Sequence, residues 1–542
     1  MTYLATTNRL GRIIKAVPKS SQRQCLVASH SSRWLTTSSD ENISDAEKHL
    51  SNGRDAFYDV LICGGGVVGC SLARSLNASM PSLRVGLLEA RDFNPPPPSS
   101  SAVDSNTDNT PPVPHPRSYA LSPSSLNLFG EKTIQDLKDR LGYYESMQVW
   151  QANSPASLTF TTRDLHIDPS KATPYLGACV EDIPLVASLW YQIQQDSKTT
   201  CYTSTTLSTI DNPASPSIQA TEDNEQPYYD DGLITVTTND GQTIQTALLV
   251  GADGGNSYVR KTSDISRIGT EYNQHALTFT VELESSMYQR AFQRFLPDGS
   301  ILALLPTYSS KHAVIVWSTY PSIVKQWKKD GNDVESNLVD VLNGYLMEGP
   351  QRIPPLLERQ QQQQSSTVET IGTNLLYGAE KVLDTIHYGL AMASHHPNPK
   401  FAAPPKITKV VSPKFSFPLS CYQAKNYMSG KRVVLIGDAA HTVHPMAGQG
   451  LNIGLGDVTS LLECIQKSYK AGMDVSTFLQ LEYNKERHLE VSTSLLGIHT
   501  LQKLFSNQQD TLLQHGKTFG MNIIQNVSPL RRQIVQTAAY GI

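Results

Sequence analysis

The stretch YDVLICGGGVVGCSLARSLN, Tyr58–Asn77, joins a short apolar run to three consecutive glycines and then to a segment with helical spacing. The apolar run predicts a buried strand, so Gly64, Gly66 and Gly69 lie at a strand-to-helix turn. The first glycine permits the tight turn, and the second lets a pyrophosphate approach the positive helix N-terminus. The third lets helix and strand pack closely. The pattern therefore predicts a dinucleotide-binding βαβ unit.

An acidic residue follows this unit at the distance that such a site requires. The next apolar segment, RVGLLEA, contains Glu89, which lies twenty residues after Gly69. A carboxylate at this position binds the ribose hydroxyls of an adenine dinucleotide. A glycine-rich turn in an unrelated α/β domain is the alternative. The first motif alone does not distinguish NAD from FAD.

Composition restricts the class of protein. A chain of 542 residues exceeds the usual size of one domain, so two or three domains are expected. Its net charge of −4 gives no reason to propose nucleic-acid binding. The seven cysteines form no CxxC pair, which argues against a zinc site or a disulfide framework. No apolar run is long enough to span a membrane.

The first 39 residues differ from the rest of the chain. They contain six Lys or Arg, many Ser and Thr, and no acidic residue before Asp40. Leu10, Ile13, Ile14 and Val17 fall on one helical face, which is typical of a mitochondrial transit peptide. A disordered basic tail is the alternative.

Two later motifs bear on the identity of the nucleotide. ALLVGADGGNSYVR is an apolar strand that ends at Asp253-Gly254, and KRVVLIGDAAHTVHPMAGQGLNIGLGD contains another that ends at Gly437-Asp438. Ligands bind beyond the carboxyl ends of parallel strands, so all three motifs are expected to face one elongated ligand. The last motif lies about 370 residues after the first, which favours FAD, with its ADP group at the first motif and its flavin at the last.

Two alternatives remain for these aspartates. Asp253 and Asp438 can each be an ordinary helix N-cap. Asp438, His441 and His444 also have a D-x-x-H-x-x-H spacing that can mimic a metal triad, although a carboxylate committed to a flavin would not be available to a metal.

Between these motifs, the sequence predicts an antiparallel sheet. The segments ALTFTVELE, AFQRFLPDGSILALLP and HAVIVWST are strand-like, and Pro297-Asp298-Gly299 predicts a hairpin turn.

The three motifs, in this order, resemble those of flavin-dependent aromatic hydroxylases of the p-hydroxybenzoate hydroxylase type, over most of residues 57–485. GACVEDIPL, AFQRFLPDGSILALLP and GDAAHTVHPMAGQGLNIGLGD are similar to the ubiquinone-biosynthesis hydroxylases within that family. With the presequence, the similarity is greatest to the mitochondrial branch, which hydroxylates C5 of a prenylated ring. The GDP-dissociation-inhibitor type of prenyl-binding protein has a related fold without flavin chemistry, and the intact glycine motifs argue against it.

The resemblance implies an α/β fold with a Rossmann-like FAD-binding domain, a second domain with an antiparallel substrate-binding sheet, and a C-terminal helical region. The expected divisions are a transit peptide over 1–39, a discontinuous FAD domain over 57–145, 178–265 and 425–485, a substrate domain over 146–177 and 266–424, and a helical region over 486–542.

The resemblance also implies roles for residues at the ADP end of the cofactor. Gly64, Gly66 and Gly69 would bind the pyrophosphate and Glu89 the adenosine ribose. Arg117, in PRSYALS, would contact the cofactor.

At the flavin end, the implied roles fall on the two later motifs. Asp253 would organise the pyrophosphate region, and Asp438, after Gly437, would accept a hydrogen bond from the ribityl chain. The backbone N–H groups of a helix start would face the flavin, and they belong to Gly448, Gly450 and Asn452. The oxygen-reacting face of the flavin would be lined by Pro445 and Met446.

The implied reaction is hydroxylation of a polyprenylated phenolic substrate by O₂ through a flavin C4a-hydroperoxide. Implied partners are ferredoxin and its reductase as electron donor, the coenzyme Q biosynthetic complex, and the matrix face of the inner mitochondrial membrane. Arg531 and Arg532 are candidates for contacting an acidic ferredoxin. A small soluble phenol is the alternative substrate. No residue is identified as a catalytic base.

Overall fold

The computed structural model describes residues 55–93, 112–152, 154–165, 174–196, 198–212, 232–329, 331–350, 401–444, 448–506 and 511–540. The predicted transit peptide, Pro445 and Met446 lie outside the described residues.

The strands, in chain order, are β1 (Asp55–Cys63), β2 (Val85–Leu88), β3 (Ser118–Leu121), β4 (Gly142–Tyr144), β5 (Ser146–Gln151), β6 (Ser157–Thr161), β7 (Gly177–Glu181), β8 (Thr199–Tyr202), β9 (Leu207–Asp211), β10 (Ile234–Thr238), β11 (Thr243–Gly251), β12 (Arg267–Leu283), β13 (Arg290–Phe295), β14 (Ile301–Pro306), β15 (His312–Thr319), β16 (Ile407–Val410), β17 (Phe415–Ala424), β18 (Met428–Ser429), β19 (Val433–Leu435) and β20 (His441–Thr442).

The α-helices are α1 (Val67–Ser79), α2 (Pro123–Asp136), α3 (Asp182–Asp196), α4 (Tyr258–Thr262), α5 (Pro321–Trp327), α6 (Asn332–Met347), α7 (Gly450–Ala471), α8 (Val475–Phe478), α9 (His488–Ser506), α10 (Thr511–Asn526) and α11 (Ser528–Tyr540). A π-helical segment, Leu479–Arg487, joins α8 to α9.

The first sheet brings the three glycine motifs to one edge. Its main order is β18-β19-β11-β1-β2-β8, and β19, β11, β1, β2 and β8 pair in parallel. Cys63 at the end of β1 lies opposite Gly251 of β11, which in turn lies opposite Leu435 of β19. The loops that follow these strands therefore leave the sheet side by side, as predicted. Helices α1 and α3 pack against each other, and α7 packs on α1.

The second sheet has the order β20-β17-β12-β15-β14-β13-β5-β6, with β16 on β12. The predicted hairpin at residues 297–299 joins β13 to β14, where Gly299 N–H donates to the Leu296 carbonyl over 3.0 Å. The sheet is antiparallel except that β5 runs parallel to β13. The antiparallel arrangement predicted for β12 to β15 is confirmed, and β5 joins this sheet in parallel with β13. No hairpin sets the direction of β5, because it comes from a distant part of the chain.

The loop after β19 belongs to both sheets. Its strand β20 pairs with β17 of the second sheet, with His441 opposite Gln423 and Thr442 opposite Tyr422. A small third sheet has the strand order β3-β7-β4 and was not predicted. The last motif is thus held at the junction of the two large sheets.

The C-terminal helices cover one face of the second sheet. Ile498 and Phe505 of α9 and Met521 of α10 pack against apolar residues of β5, β6 and β13. The rings of Phe295 and Phe505 stack with centroids 4.0 Å apart. Arg531 of α11 is paired with Asp164 over 2.8 Å. We call α9, α10 and α11 the roof. Among the described residues, no helix is both long and apolar enough to cross a membrane.

The Phe295–Phe505 contact predicts how firmly the roof is attached. Phe505→Ala is expected to lower the free energy needed to detach the roof from the second sheet by about 3 kcal/mol, because a large-to-small change in a packed site leaves a cavity. Amide hydrogen exchange in α10 and α11 should accelerate, while exchange in β1 stays unchanged. Leu489→Ala is the control, because Leu489 is on the same helix but 69% exposed. Equal exchange in both variants would contradict the contact's importance.

Candidate functional site

The first glycine loop is packed directly on the loop after β11. Gly64 has a φ of +114°, and a Cβ on it would lie 2.3 Å from the Ala252 carbonyl oxygen. A Cβ on Gly69 would lie 1.9 Å from the Gly64 carbonyl oxygen. A side chain at either position would collide with a neighbouring backbone carbonyl, so both positions require glycine.

Gly66 is different, because the space beside it is open. No other atom lies within 4 Å of the position that its Cβ would occupy, and α1 begins at the next residue. The first amides of a helix have no intrahelical partner and carry partial positive charge. Gly66 thus leaves room for an anionic group at a helix N-terminus.

Glu89 lies beside this loop and is 5% exposed. Its carboxylate accepts from Gly65 N–H over 2.8 Å and from Arg91 through both N–H and Nε. Burial alone would raise the pKa of Glu89, but Arg91 and the Gly65 amide outweigh burial and hold that pKa below its ordinary value. A carboxylate has about four acceptor positions, so one is left for a ligand hydroxyl.

Asp253 uses its two carboxylate oxygens differently. Oδ2 accepts from the backbone N–H groups of Tyr258 and Val259, over 2.6 and 3.1 Å, at the start of α4. Asp253 therefore satisfies two amides at the start of α4 from outside the helix, whereas the N-cap residue of α4 is Ser257. Oδ1 is buried and has no hydrogen-bond partner among the described residues. A buried acceptor normally has a partner, so Oδ1 is free for a donor on a ligand.

Asp438 lies in a crevice at the end of β19. Its side chain is accessible to solvent, yet the surrounding protein removes enough water to raise its pKa, an effect that His441 opposes. Within the described part of the chain, no hydrogen bond is made to its carboxylate. The carboxylate is therefore available for a ligand that enters the crevice.

The side chain of Asn452 makes all of its hydrogen bonds within the protein. Its Nδ2 donates to the carbonyls of Ala120 and Gly448, over 2.9 and 3.0 Å. Its Oδ1 accepts from Ser122 N–H and Ser125 Oγ, over 2.9 and 2.7 Å. Asn452 thus clamps β3 and the start of α2 to the loop before α7.

The N-terminus of α7 begins at Gly450, where a Cβ would meet no other atom within 4 Å. Gly448 has a φ of +61°, which favours glycine.

Arg117 forms an ion pair with Asp182 over 2.9 Å, and its side chain is 64% exposed. Tyr119 also donates to Asp182, over 2.8 Å.

A buried carboxylate, missed in the sequence analysis, holds the last motif together. Asp457 of α7 is fully buried; its Oδ2 accepts from Gly437 N–H over 2.8 Å and lies 2.6 Å from His441 Nε2. Its Oδ1 accepts from Arg487 Nη2 over 2.8 Å. Burial alone would raise the pKa of Asp457, but His441, Arg487 and the Gly437 amide hold it below its ordinary value. An acidic residue on the buried face of an amphipathic helix is the signal that could have identified it.

The metal alternative requires three ligands to converge. His441 is paired with Asp457, and His444 packs at right angles to the Tyr272 ring with centroids 5.0 Å apart. In the described ranges, no three His, Cys, Asp or Glu side chains are grouped to hold a metal ion.

A cavity of about 950 Å³ lies between α7, the second sheet and the roof. Ser122, Ser125 and Asn452 line it beside the N-terminus of α7. Most of its remaining wall is apolar and includes Leu158, Phe160, Phe295, Phe505, Met521 and Ile524. Leu501, Ile534 and Tyr540 line the cavity and are also 46%, 38% and 42% exposed, so they mark an apolar mouth.

Comparison with known sequences shows the family to which the chain belongs. The family described as FAD binding domain matches residues 204–338 and 398–495. The ubiquinone biosynthesis monooxygenase COQ6, mitochondrial, of Xenopus tropicalis is 30% identical over 95% of this chain and 100% of its own length. The protein of the same name from Homo sapiens is 30% identical, over 90% of this chain and 93% of its own.

Solved structures show the same fold. The p-nitrophenol 4-monooxygenase PnpA from Pseudomonas putida DLL-E4 superposes with a TM-score of 0.56 and 17% identity, over 89% of this chain and 97% of its own. PqsL from Pseudomonas aeruginosa, a probable FAD-dependent monooxygenase, gives a TM-score of 0.55 and 17% identity, over 86% of this chain and 100% of its own.

FAD is therefore the cofactor of this chain, and the described residues fit it. The open space beside Gly66 can admit a pyrophosphate, and the crevice at Asp438 can admit the polar chain that follows. The unpartnered Asp253 Oδ1 lies between these two positions in the row of strand ends.

The contrast between two glycines predicts separable effects. Gly66→Val is expected to fold but to purify without FAD, because its side chain fills space that the protein leaves open. Gly69→Val is expected to fail to fold, because its Cβ would overlap the Gly64 carbonyl. Flavin absorbance and far-UV circular dichroism measure the two outcomes. A yellow Gly66→Val protein with full flavin content would contradict the assignment of this loop.

Proposed function

The chain belongs to the family of mitochondrial ubiquinone biosynthesis monooxygenases named COQ6, and from this we propose that it hydroxylates C5 of a polyprenylated 4-hydroxybenzoate-type ring. It is an FAD-dependent monooxygenase, an oxidoreductase that incorporates oxygen from O₂. This membership sets aside the non-catalytic prenyl-binding alternative.

The observation that carries the proposed substrate is the apolar cavity. It begins beside the N-terminus of α7 and continues between the second sheet and the roof, past aromatic and aliphatic side chains. A phenolic ring would lie at the α7 end, and the prenyl chain would fill the apolar part. A small soluble phenol would leave most of the 950 Å³ without contacts.

The glycine loops and the two aspartates would hold the cofactor. Gly66 would admit the pyrophosphate, Asp253 Oδ1 would accept from the cofactor or an ordered water, and Asp438 would accept from the ribityl hydroxyls. The N-terminus of α7 would face the flavin ring, where negative charge develops on reduction. Glu89 keeps an acceptor position for a ribose hydroxyl.

When bound, FAD supplies the activation of O₂ and the electrophilic oxygen. The protein's own contribution is to orient the ring and exclude water. The apolar walls of the cavity and the roof would orient the ring and exclude water. Gln293 of β13 is 7% exposed and lines the cavity, so its amide can hydrogen-bond the phenol oxygen.

The proposed location is the matrix face of the inner mitochondrial membrane, with the enzyme associated peripherally and within the coenzyme Q biosynthetic complex. The apolar mouth at Leu501, Ile534 and Tyr540 supports this location, because a prenylated substrate must pass from lipid into the cavity. The relatives are named mitochondrial.

The direct test is genetic and chemical. In a strain lacking this protein, a prenylated ring without the C5 hydroxyl should accumulate, and mass spectrometry of extracted lipids would identify it. Restoring the chain should remove it. Accumulation of an intermediate already hydroxylated at C5 would overturn the proposed position.

A variant can test whether the cavity holds the prenyl chain. Gly497 of α9 lines the cavity, and a Cβ there meets no atom within 4 Å. Gly497→Phe should therefore fold and bind FAD, but lower turnover of a long-chain substrate about tenfold or more relative to a short-chain one. Gly344→Phe is the matched control, because Gly344 is an exposed helical glycine with equally open space on α6. Equal loss with both chain lengths would contradict the proposed path.

We further propose ferredoxin, reduced by its reductase, as the electron donor. A donor of this kind requires a surface near the flavin that complements an acidic protein. Arg531 is poorly suited, because it forms an ion pair with Asp164 and its side chain is only 15% exposed. Lys261, Arg267 and Lys425 form a better candidate, which we call the basic face. Lys425 N–H bonds to the Ser266 carbonyl, next to Arg267.

The basic face borders the last motif. Arg267 donates to the Gly255 carbonyl over 3.3 Å, and a Cβ on Gly255 would lie 3.2 Å from Thr442 Cγ2. Ile268, beside Arg267, is 63% exposed. An exposed apolar side chain among basic residues is typical of a protein-binding surface.

Charge reversal tests the donor and its surface together. Lys261→Glu with Lys425→Glu should slow anaerobic flavin reduction by ferredoxin about tenfold at low salt, with the difference shrinking as salt rises. Lys325→Glu with Lys329→Glu carries the same charge change on and after α5 and should not. Reduction by dithionite should be equal in all forms. Rapid bleaching by NADPH alone, with phenol bound, would contradict the protein donor.

A further inference from the structure

The second sheet is interrupted where it meets the last motif. From Glu271 to His275, β12 advances four residues while its partner β17 advances only two, from Ser420 to Pro418. Asn273, within this bulge, has a φ of +49°, which is uncommon for a residue other than glycine. Bulges of this kind redirect side chains and are frequent beside functional sites. The bulge therefore calls for a role beyond sheet formation.

The bulge presents Tyr272 and Gln274 to the loop that leads to α7. His444 ends the described part of that loop and is fully buried. Its Nε2 lies 3.4 Å from Gln274 Oε1, and its ring meets the Tyr272 ring at 89°. Burial lowers the pKa of His444 to about 4, so its ring is neutral at physiological pH. Because Gln274 Oε1 can only accept, Nε2 carries the proton in this contact.

The roof reaches the same two residues from the other side. Gln502 Nε2 of α9 donates to Gln274 Oε1 over 3.5 Å, and Gln274 and Gln502 are 3% and 7% exposed. One turn earlier on α9, His499 Nδ1 lies 2.8 Å from the Tyr272 hydroxyl. We call the loop after β19, described over residues 436–444, the flavin loop. One amide oxygen of Gln274 thus receives a donor from the flavin loop and another from the roof.

Resting on the proposed function, we propose that Gln274 is a positioning residue that couples the roof to the flavin loop. The roof forms one wall of the substrate cavity, and His444 fixes the start of the segment that leads to Gly448 and α7. A substrate that holds the roof in place therefore also holds His444, through the shared acceptor Gln274 Oε1. The coupling makes water exclusion and loop placement one event.

The test compares isosteric substitutions. Gln274→Met removes the shared acceptor at nearly constant volume, and Gln274→Glu restores one. Gln274→Met is expected to accelerate amide exchange of both α9 and residues 444–450 in the FAD-loaded protein. It should also lower kcat about tenfold, leave KM and FAD content nearly unchanged, and divert O₂ to hydrogen peroxide. Gln502→Met, which leaves the His444 contact intact, should produce the same exchange pattern more weakly. Gln274→Glu should recover most of the loss.

Gln423→Met is the matched control. Gln423 of β17 also ties the sheet to α9, donating to the His488 carbonyl and accepting from Ser492, but it makes neither contact described for Gln274. It should loosen α9 without changing exchange at residues 444–450. Equal effects of Gln423→Met and Gln274→Met, or exchange that rises in α9 alone, would overturn the proposal. Because exchange is measured without turnover, this result is independent of which phenol is the substrate.

Discussion

The carboxylate of Asp457 is the interaction on which the site depends. It lies on α7, yet it determines the position of the loop after β19, because one of its oxygens accepts from Gly437 N–H and contacts His441. Arg487 supplies the positive charge that makes a fully buried carboxylate tolerable. A buried charge that loses its partner costs about 3 to 5 kcal/mol, so the loop and the helix are bound to a single arrangement. Asp438, next to Gly437, faces its crevice only while this arrangement holds.

The network also explains how two sheets can share one site. The loop that bonds to Asp457 through Gly437 and His441 also contributes β20 to the second sheet. This loop therefore links α7 to the second sheet, through the Asp457 network at one end and β20 at the other. The cavity lies at this junction, with walls from the second sheet, α7 and the roof. Each wall comes from a different part of the chain, which is why changes in one wall are expected to be felt at the others.

The parts of the structure that sequence predicted well are those with a local signal. Apolar runs ending in glycine predicted β1, β11 and β19, and the parallel register then brings their ends together. The hairpin at residues 297–299 had turn chemistry in three adjacent residues. What sequence did not predict depends on partners far apart in the chain: the parallel β5–β13 pair, the Asn452 clamp and the Asp457 network. The side-chain role of Asn452 was not expected, because only its backbone N–H had been assigned to the cofactor, whereas its side-chain amide bonds within the protein. No local pattern reveals such a contact, because its partners at β3 and the start of α2 lie about 330 residues earlier in the chain.

The order of strands in the first sheet has a consequence for how the molecule is assembled. β1 pairs with β11, and β11 with β19, across about 180 to 190 residues at each step. A chain that emerges from its N-terminus, at the ribosome or through a translocation pore, must therefore carry β1 without its full sheet until Leu435 has emerged. Contacts so distant form slowly, because the loop between them must close first. A premature stop before β19 would remove a strand from the central sheet itself, leaving an open edge that invites aggregation or proteolysis.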